Sequence, residues 1–268
     1  MAQNSPNKHT KNTFFSFSVL LPSLLISLIF VYGFIGRTFQ MSLLDWNSFV
    51  KFLQGKQNYV GLQNYLNLLQ DPRFQADLLN VLYFTLFFIL GTVALGIVLA
   101  ILLNRTSKFK QTFQTIFLFP MALSFVVTGT IWRWIFSPGT LPNNPQGINL
   151  LLQKIGLTNL QWSWFVSHKE VLGFNFALVA VIIAAIWQFS GYAMVIWLAG
   201  IKGIPKEIIE AARIDGASTW QLLTKILFPL LRPLTISIMI ILAHISLKAF
   251  ALVYSMTGSG PNNITDLP

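Results

Sequence analysis

The placing of charge along this chain leaves few folds open. Residues 12–36, 78–104, 111–132 and 171–201 contain no Asp, Glu, Lys or Arg, and residues 233–257 contain only Lys248. A helix that crosses a bilayer needs about 20 mostly apolar residues, each rising about 1.5 Å, so every one of these runs is long enough. Of the 268 residues, 54% are hydrophobic and 10% are charged, too few charges to coat a soluble core of that size. The expected fold is therefore all-α, a polytopic bundle of transmembrane helices at 14–36, 79–103, 112–136, 173–200 and 234–257.

The first run follows Lys8 and Lys11, as the apolar core of a signal peptide would. Its apolar stretch from Phe14 to Phe39 is too long for that and lacks a small-residue cleavage site, so a retained helix is expected. A further uncharged stretch, 134–153, contains Pro138, Gly139, Pro142, Pro145 and Gly147 and reads as loop. Ile148, Leu151, Leu152 and Ile155 are spaced for a short helix lying flat on the membrane, and Trp162, Trp164 and Phe165 suit the headgroup belt.

The net charge of +10 is accounted for by topology. With the tail 1–13 in the cytoplasm, ten basic residues fall in the inner segments, among them Arg105, Lys110, Lys202 and Arg213, against six in the outer ones. Basic residues that sit between apolar runs do not form a nucleic-acid surface, so no nucleic-acid partner is expected and membrane lipid is. Absence of cysteine excludes thiolate chemistry, iron–sulfur clusters and cysteine zinc sites, and His9, His168 and His244 are too scattered for a metal centre. No phosphate-binding Gly-rich motif ending in Gly-Lys-Ser/Thr and no nucleophile elbow occurs, so the chain is not read as an enzyme and no cofactor is expected.

The 201–233 segment is more structured than a tether needs to be. Pro205 suits a first helical turn, Glu207 and Glu210 favour the positive end of its dipole, and Gly216 supplies a left-handed stop. Ser218 with Gln221 offers a capping box for a second helix running toward Pro229. On the first helix Ile208, Ala211, Ala212 and Asp215 fall at spacings of three and four, which predicts a narrow ridge able to enter a groove on another protein. An amphipathic helix resting on lipid accounts for that shape equally well. Glu210 and Arg213 either reach polar contacts at its rim or pair with each other.

Glu210-Ala211-Ala212, Asp215-Gly216-Ala217, Ile226, Pro229 and Pro233 together resemble the EAA loop of permease subunits in binding-protein-dependent ABC importers. The similarity runs along nearly the whole chain. It includes Gly61-Leu62-Gln63-Asn64-Tyr65, Asp71-Pro72, Phe119-Pro120, Trp132-Arg133, Trp187-Gln188 with Gly191, Leu198-Ala199-Gly200 and Thr257-Gly258 with Gly260-Pro261. These are similar to the carbohydrate-uptake branch, which holds the maltose and glycerol-phosphate permeases.

The resemblance implies a heterodimer with a second permease, an ABC ATPase dimer docked beneath, and an extracytoplasmic solute-binding protein. Glu210, Ala211, Ala212, Asp215, Gly216 and Ala217 would then form the ATPase-coupling element. The sequence departs from the branch at Phe228, usually Leu, at Ala251, commonly Asp, and at Ser259 in place of a glycine. Six spans are common there and five are counted here, so the sixth is expected to be absent, with 258–268 an outer segment.

Candidate pathway residues are Trp187, Gln188, Lys248, Phe250 and Tyr254. A charge deep in a span faces a cavity or the bundle interior, or else snorkels to the interface, and Lys248 is open to either reading. Aromatic faces beside an amide or a hydroxyl suit a sugar, although helix packing accounts for such residues more often. Ala177, Ala180 and Ala184 share one face and mark a close helix contact. Two other functions remain to be weighed, an ion-coupled secondary transporter and a membrane anchor or assembly protein. The first wants acidic residues in the spans, which contain none; the second gives the 201–233 segment no reason for its shape.

Overall fold

The computed structural model describes residues 19–45, 58–105, 109–141, 143–165, 170–171, 174–175 and 177–258. The expected cytoplasmic tail 1–13, the first residues of the first span and the outer segment from 259 lie outside them. The chain forms two compact units, up to Asp71 and from Pro72 onward.

In the first unit, helix α1 (Val19–Ser42) is long and apolar enough to cross a membrane. It contains one π-helical stretch at Leu28–Tyr32. Its last carbonyls have no partner within the helix. Asn64, on α2 (Gln63–Gln70), supplies one by donating from Nδ2 to the carbonyls of Ser42 and Leu44, each at 2.9 Å. The Tyr65 and Ser42 hydroxyls lie 2.6 Å apart. The Gly61-to-Tyr65 motif is thus the terminator of the first long helix, with Gly61 at φ 60° making the preceding turn.

The second unit is built on two long helices, α3 (Pro72–Arg105, 34 residues) and α7 (Ala177–Gly203, 27 residues). Asp71 is extended, as a residue before proline prefers, and Pro72 opens α3 where no amide hydrogen is required. The two helices run in the same direction and approach closely. A side chain at Gly91 would meet Ile186, and one at Gly96 would meet Ala193. In lipid no hydrophobic drive holds helices together, so small residues that let backbones approach carry the contact. Ala177, Ala180 and Ala184 are fully buried on α7, as their shared face predicts.

Two expected spans prove to be broken. The run at 112–136 is not one helix: α4 (Lys110–Leu118) tightens into a 3₁₀ turn at Phe119–Ala122, and α5 (Phe125–Ile135) leaves at 101°. Pro120 removes an amide donor there, and the Ser124 hydroxyl accepts from the Val127 amide to start a new helix. The run at 234–257 is likewise two pieces, α10 (Arg232–Ser246) and α11 (Phe250–Thr257). Ser246 turns its hydroxyl back to the Ala243 carbonyl at 2.8 Å, a bond that bends helices. The run expected at 173–200 starts at Ala177.

The stretch at 134–153, read as loop, is divided. It ends α5, pairs Gly139–Thr140 with Asn144–Pro145, and enters the short helix α6 (Gly147–Lys154) that the leucine spacing predicts. Asn149 on α6 is buried and fixes the following segment, donating from Nδ2 to the Trp162 carbonyl at 2.8 Å and accepting from the Trp162 amide at 3.2 Å. Trp164 and Phe165 pack on Phe136 at the end of α5, so they belong to an aromatic core.

Among the described residues, three helices are long and apolar enough to cross a membrane, or up to five if each of two bent pairs counts as one. One bent pair joins α10 to α9 (Thr219–Leu230) at 69°.

Candidate functional site

Between α7 and α10 the chain makes a helical hairpin, α8 (Lys206–Ile214) followed by α9. Pro205 stands at the N-cap of α8, one position before the first turn in which the sequence places it. The helix ends in a double backbone bond: the Gly216 amide donates to the Arg213 carbonyl at 3.1 Å and the Ala217 amide to the Ala212 carbonyl at 3.0 Å. With Gly216 at φ 80°, this is a Schellman stop. Such a stop brings the last-turn residue and the residue after the glycine together, here Ala212 and Ala217, both methyl-sized. The capping box of α9 forms as its residues predict, with the Gln221 amide donating to the Ser218 hydroxyl and the Ser218 amide to Gln221 Oε1.

This geometry divides the six EAA residues by role. Ala212 is 7% exposed and faces inward, which corrects its expected place on the exposed ridge. Ala212, Gly216 and Ala217 make the stop, while Glu210, Ala211 and Asp215 stand exposed. The hypothetical Glu210–Arg213 pair does not form, and among the described residues neither side chain has an internal ion-pair partner. Phe228, one of the departures from the resembling branch, has its ring 5.4 Å from that of the buried Trp197, so the larger side chain joins the hairpin to α7.

The break between α4 and α5 is held by α7. Gln188, 2% exposed, donates from Nε2 to the Leu123 carbonyl at 2.9 Å. One turn on, Gly191 lies against the Phe117 carbonyl so closely that a side chain has no room. Phe119-Pro120 and Trp187-Gln188 with Gly191 are therefore two halves of one joint. Trp187 packs edge-on against Trp132 at 5.6 Å, and Phe189 against Phe88 and Phe125. In the same helices Gln188 Oε1, Trp132 Nε1, Thr92 Oγ1 and Thr128 Oγ1 are buried and make no hydrogen bond among the described residues.

Lys248 is exposed in the turn between α10 and α11 and not within a continuous helix, as its sequence position suggests. The exposed rings of Phe250 and Tyr254 stack at 5.6 Å on the first turns of α11. No ring contact or hydrogen bond joins these three to Trp187 or Gln188 among the described residues. Instead α11 is joined to α5, where a side chain at Gly129 would strike Ser255. The sequence signal for that clamp is a glycine within an apolar helix.

The pattern of the family described as binding-protein-dependent transport system inner membrane component matches residues 92–267. The chain belongs to this family. It is an inner-membrane transport component, a permease. Among proteins to which this permease is similar, the xylose/arabinose import permease protein of Haloferax volcanii is 38% identical over 251 residues, 92% of this chain and 73% of that one. The osmoprotective compounds uptake permease protein of Synechocystis is 32% identical over 212 residues, 78% and 73% of the two chains. A crystal structure of a bacterial ABC transporter involved in alginate import contains a chain that superposes with a TM-score of 0.76 at 24% identity, covering 97% of this permease and 83% of that chain. This last likeness establishes the shared fold.

Proposed function

We propose that this permease forms half of the translocation pathway of an ATP-driven importer for a sugar, polyol or related solute, and that the 201–233 hairpin couples it to a separate ATPase. The N-terminus lies in the cytoplasm, a second permease completes the pathway, and an extracytoplasmic solute-binding protein delivers the solute. The observation that carries this reading is the division of the EAA residues. The hairpin exposes Glu210, Ala211 and Asp215, with no internal ion pair, beside Ile208, Ile214 and Trp220, and this mixed polar and apolar face on a helix fixed at its far end suits a protein groove. Narrow side chains flanked by free carboxylates suit a groove with basic rims. The solute class is supported by the pentose and osmoprotectant uptake of the relatives. Lys248 with the Phe250–Tyr254 stack and the unspent hydrogen-bonding atoms around Gln188 are the candidate pathway groups.

The coupling role is tested in the reconstituted transporter by comparing Glu210→Lys, which alters only the exposed face, with Gly216→Val, which alters the stop. Both are expected to abolish substrate-stimulated ATP hydrolysis while leaving insertion intact. Gly216→Asn, which tolerates a left-handed backbone, is expected to retain most of it. Normal stimulated hydrolysis in Glu210→Lys would remove the hairpin from the mechanism.

A further inference from the structure

A second feature of the hairpin faces the bundle. Where α8 and α9 meet the last turns of α3 and α7 there is a cavity of about 190 Å³. Its polar lining comes from Asn104, Arg213 and Thr219, and its apolar lining includes Ile201, Leu222 and Leu223. Leu222 and Leu223 belong to the π-helical stretch Leu222–Leu227 within α9, a winding found often at functional sites. None of the side chains of Asn104, Arg213 and Thr219 has a hydrogen-bond or ion-pair partner among the described residues. One guanidinium, one amide and one hydroxyl, each on a solvent-exposed residue and none committed to another side chain, thus line one cavity together with hydrocarbon. The surroundings add positive charge: Lys202, next to Ile201, lies close enough to Lys110 to lower its pKa, after the larger effect of burial.

We propose that this cavity is an anionic phospholipid site, with the headgroup phosphate held by Arg213, Asn104 and Thr219 and an acyl chain entering between Ile201, Leu222 and Leu223. Three features select this ligand. Guanidinium with neutral donors matches a phosphate monoanion, the lining beyond them is aliphatic, and the positive surplus matches the anionic inner leaflet. The inner-leaflet placement rests on the orientation proposed above. A lipid seated there would lie between the hairpin and the ends of α3 and α7, and so would set how firmly the hairpin is held.

The test is native mass spectrometry of the purified full chain in detergent, titrated with dioleoyl-phosphatidylglycerol, dioleoyl-phosphatidylcholine or glycerol 3-phosphate. Expected is selective retention of phosphatidylglycerol, lowered roughly tenfold by Arg213→Gln and also lowered by Leu223→Asn. Lys225→Gln, an exposed basic residue of the same hairpin outside the cavity, is expected to leave it unchanged. Equal retention of the two lipids, or equal loss in Arg213→Gln and Lys225→Gln, would overturn the site. Displacement of the lipid by glycerol 3-phosphate at similar concentration would overturn its membrane source in favour of a soluble phosphate. Retention is read without an ATPase, so it stands or fails apart from the coupling role.

Discussion

The side-chain amide of Gln188 donates to the main-chain carbonyl of Leu123 across 65 residues of sequence, at the point where α4 gives way to α5. A break in an apolar helix leaves carbonyls without partners, and hydrocarbon supplies none. Gln188 therefore stabilises the bend itself. Gln188→Leu is expected to lower stability by about 1–3 kcal/mol, read as a fall in the thermal midpoint of the purified protein in detergent. An unchanged midpoint would mean that the bend holds without the amide.

Gly191 and Gly203 lie on the same helix and differ in what surrounds them. A methyl group at Gly191 would enter the Phe117 carbonyl, whereas at Gly203 nothing lies within 4 Å. Gly191→Ala is expected to cost about 1–3 kcal/mol or more through overpacking against backbone, and Gly203→Ala to be neutral or slightly stabilising. Fluorescence-detected gel filtration after a temperature ramp separates the two, and equal behaviour would contradict the close approach of α7 to α4.

Lys248 carries its charge in a non-helical turn beside the Phe250–Tyr254 stack. If it contacts solute in the pathway, Lys248→Met changes uptake kinetics while the yield of assembled complex stays the same. A variant with unaltered kinetics would leave the lysine as a snorkelling side chain with its head in the interface.

Lys110 lies just before the expected third span, and its pKa is lowered from 10.5 by burial and, secondarily, by the charge and hydrogen bond of Lys202. A depressed lysine pKa means that the folded state binds its proton less tightly than the unfolded state does. The penalty is complete below the folded pKa, shrinks as pH rises, and vanishes above 10.5. Lys202→Met is expected to raise the thermal midpoint at pH 7, with the gain shrinking toward pH 10. A gain that grew with pH would reverse the assigned sign.

Charge spacing made the helical class and the two long helices legible, because the bilayer imposes a length that a sequence must meet. The hairpin was legible for a different reason: Gly216 and the Ser218/Gln221 pair are local devices whose geometry depends on a few adjacent residues. What stayed hidden is tertiary. Counting uncharged residues cannot see the 101° turn after Pro120, because charge spacing carries no angle and the Gln188 and Gly191 contacts to the bend come from a distant helix. The inward turn of Ala212 is not legible in a spacing of three and four, which identifies a face without saying which way it points. Lys248 sits in the turn after Ser246, whose hydroxyl bonds back to the Ala243 carbonyl, and a lone serine in an apolar run does not announce a helix end.

The stop at the end of α8 divides the hairpin's fingerprint in two. Three letters of the fingerprint, at positions 212, 216 and 217, spell a bend in the main chain, and the other three, at 210, 211 and 215, are left free of that duty. The word thus mixes two alphabets, one that shapes the knuckle and one that faces whatever the knuckle meets.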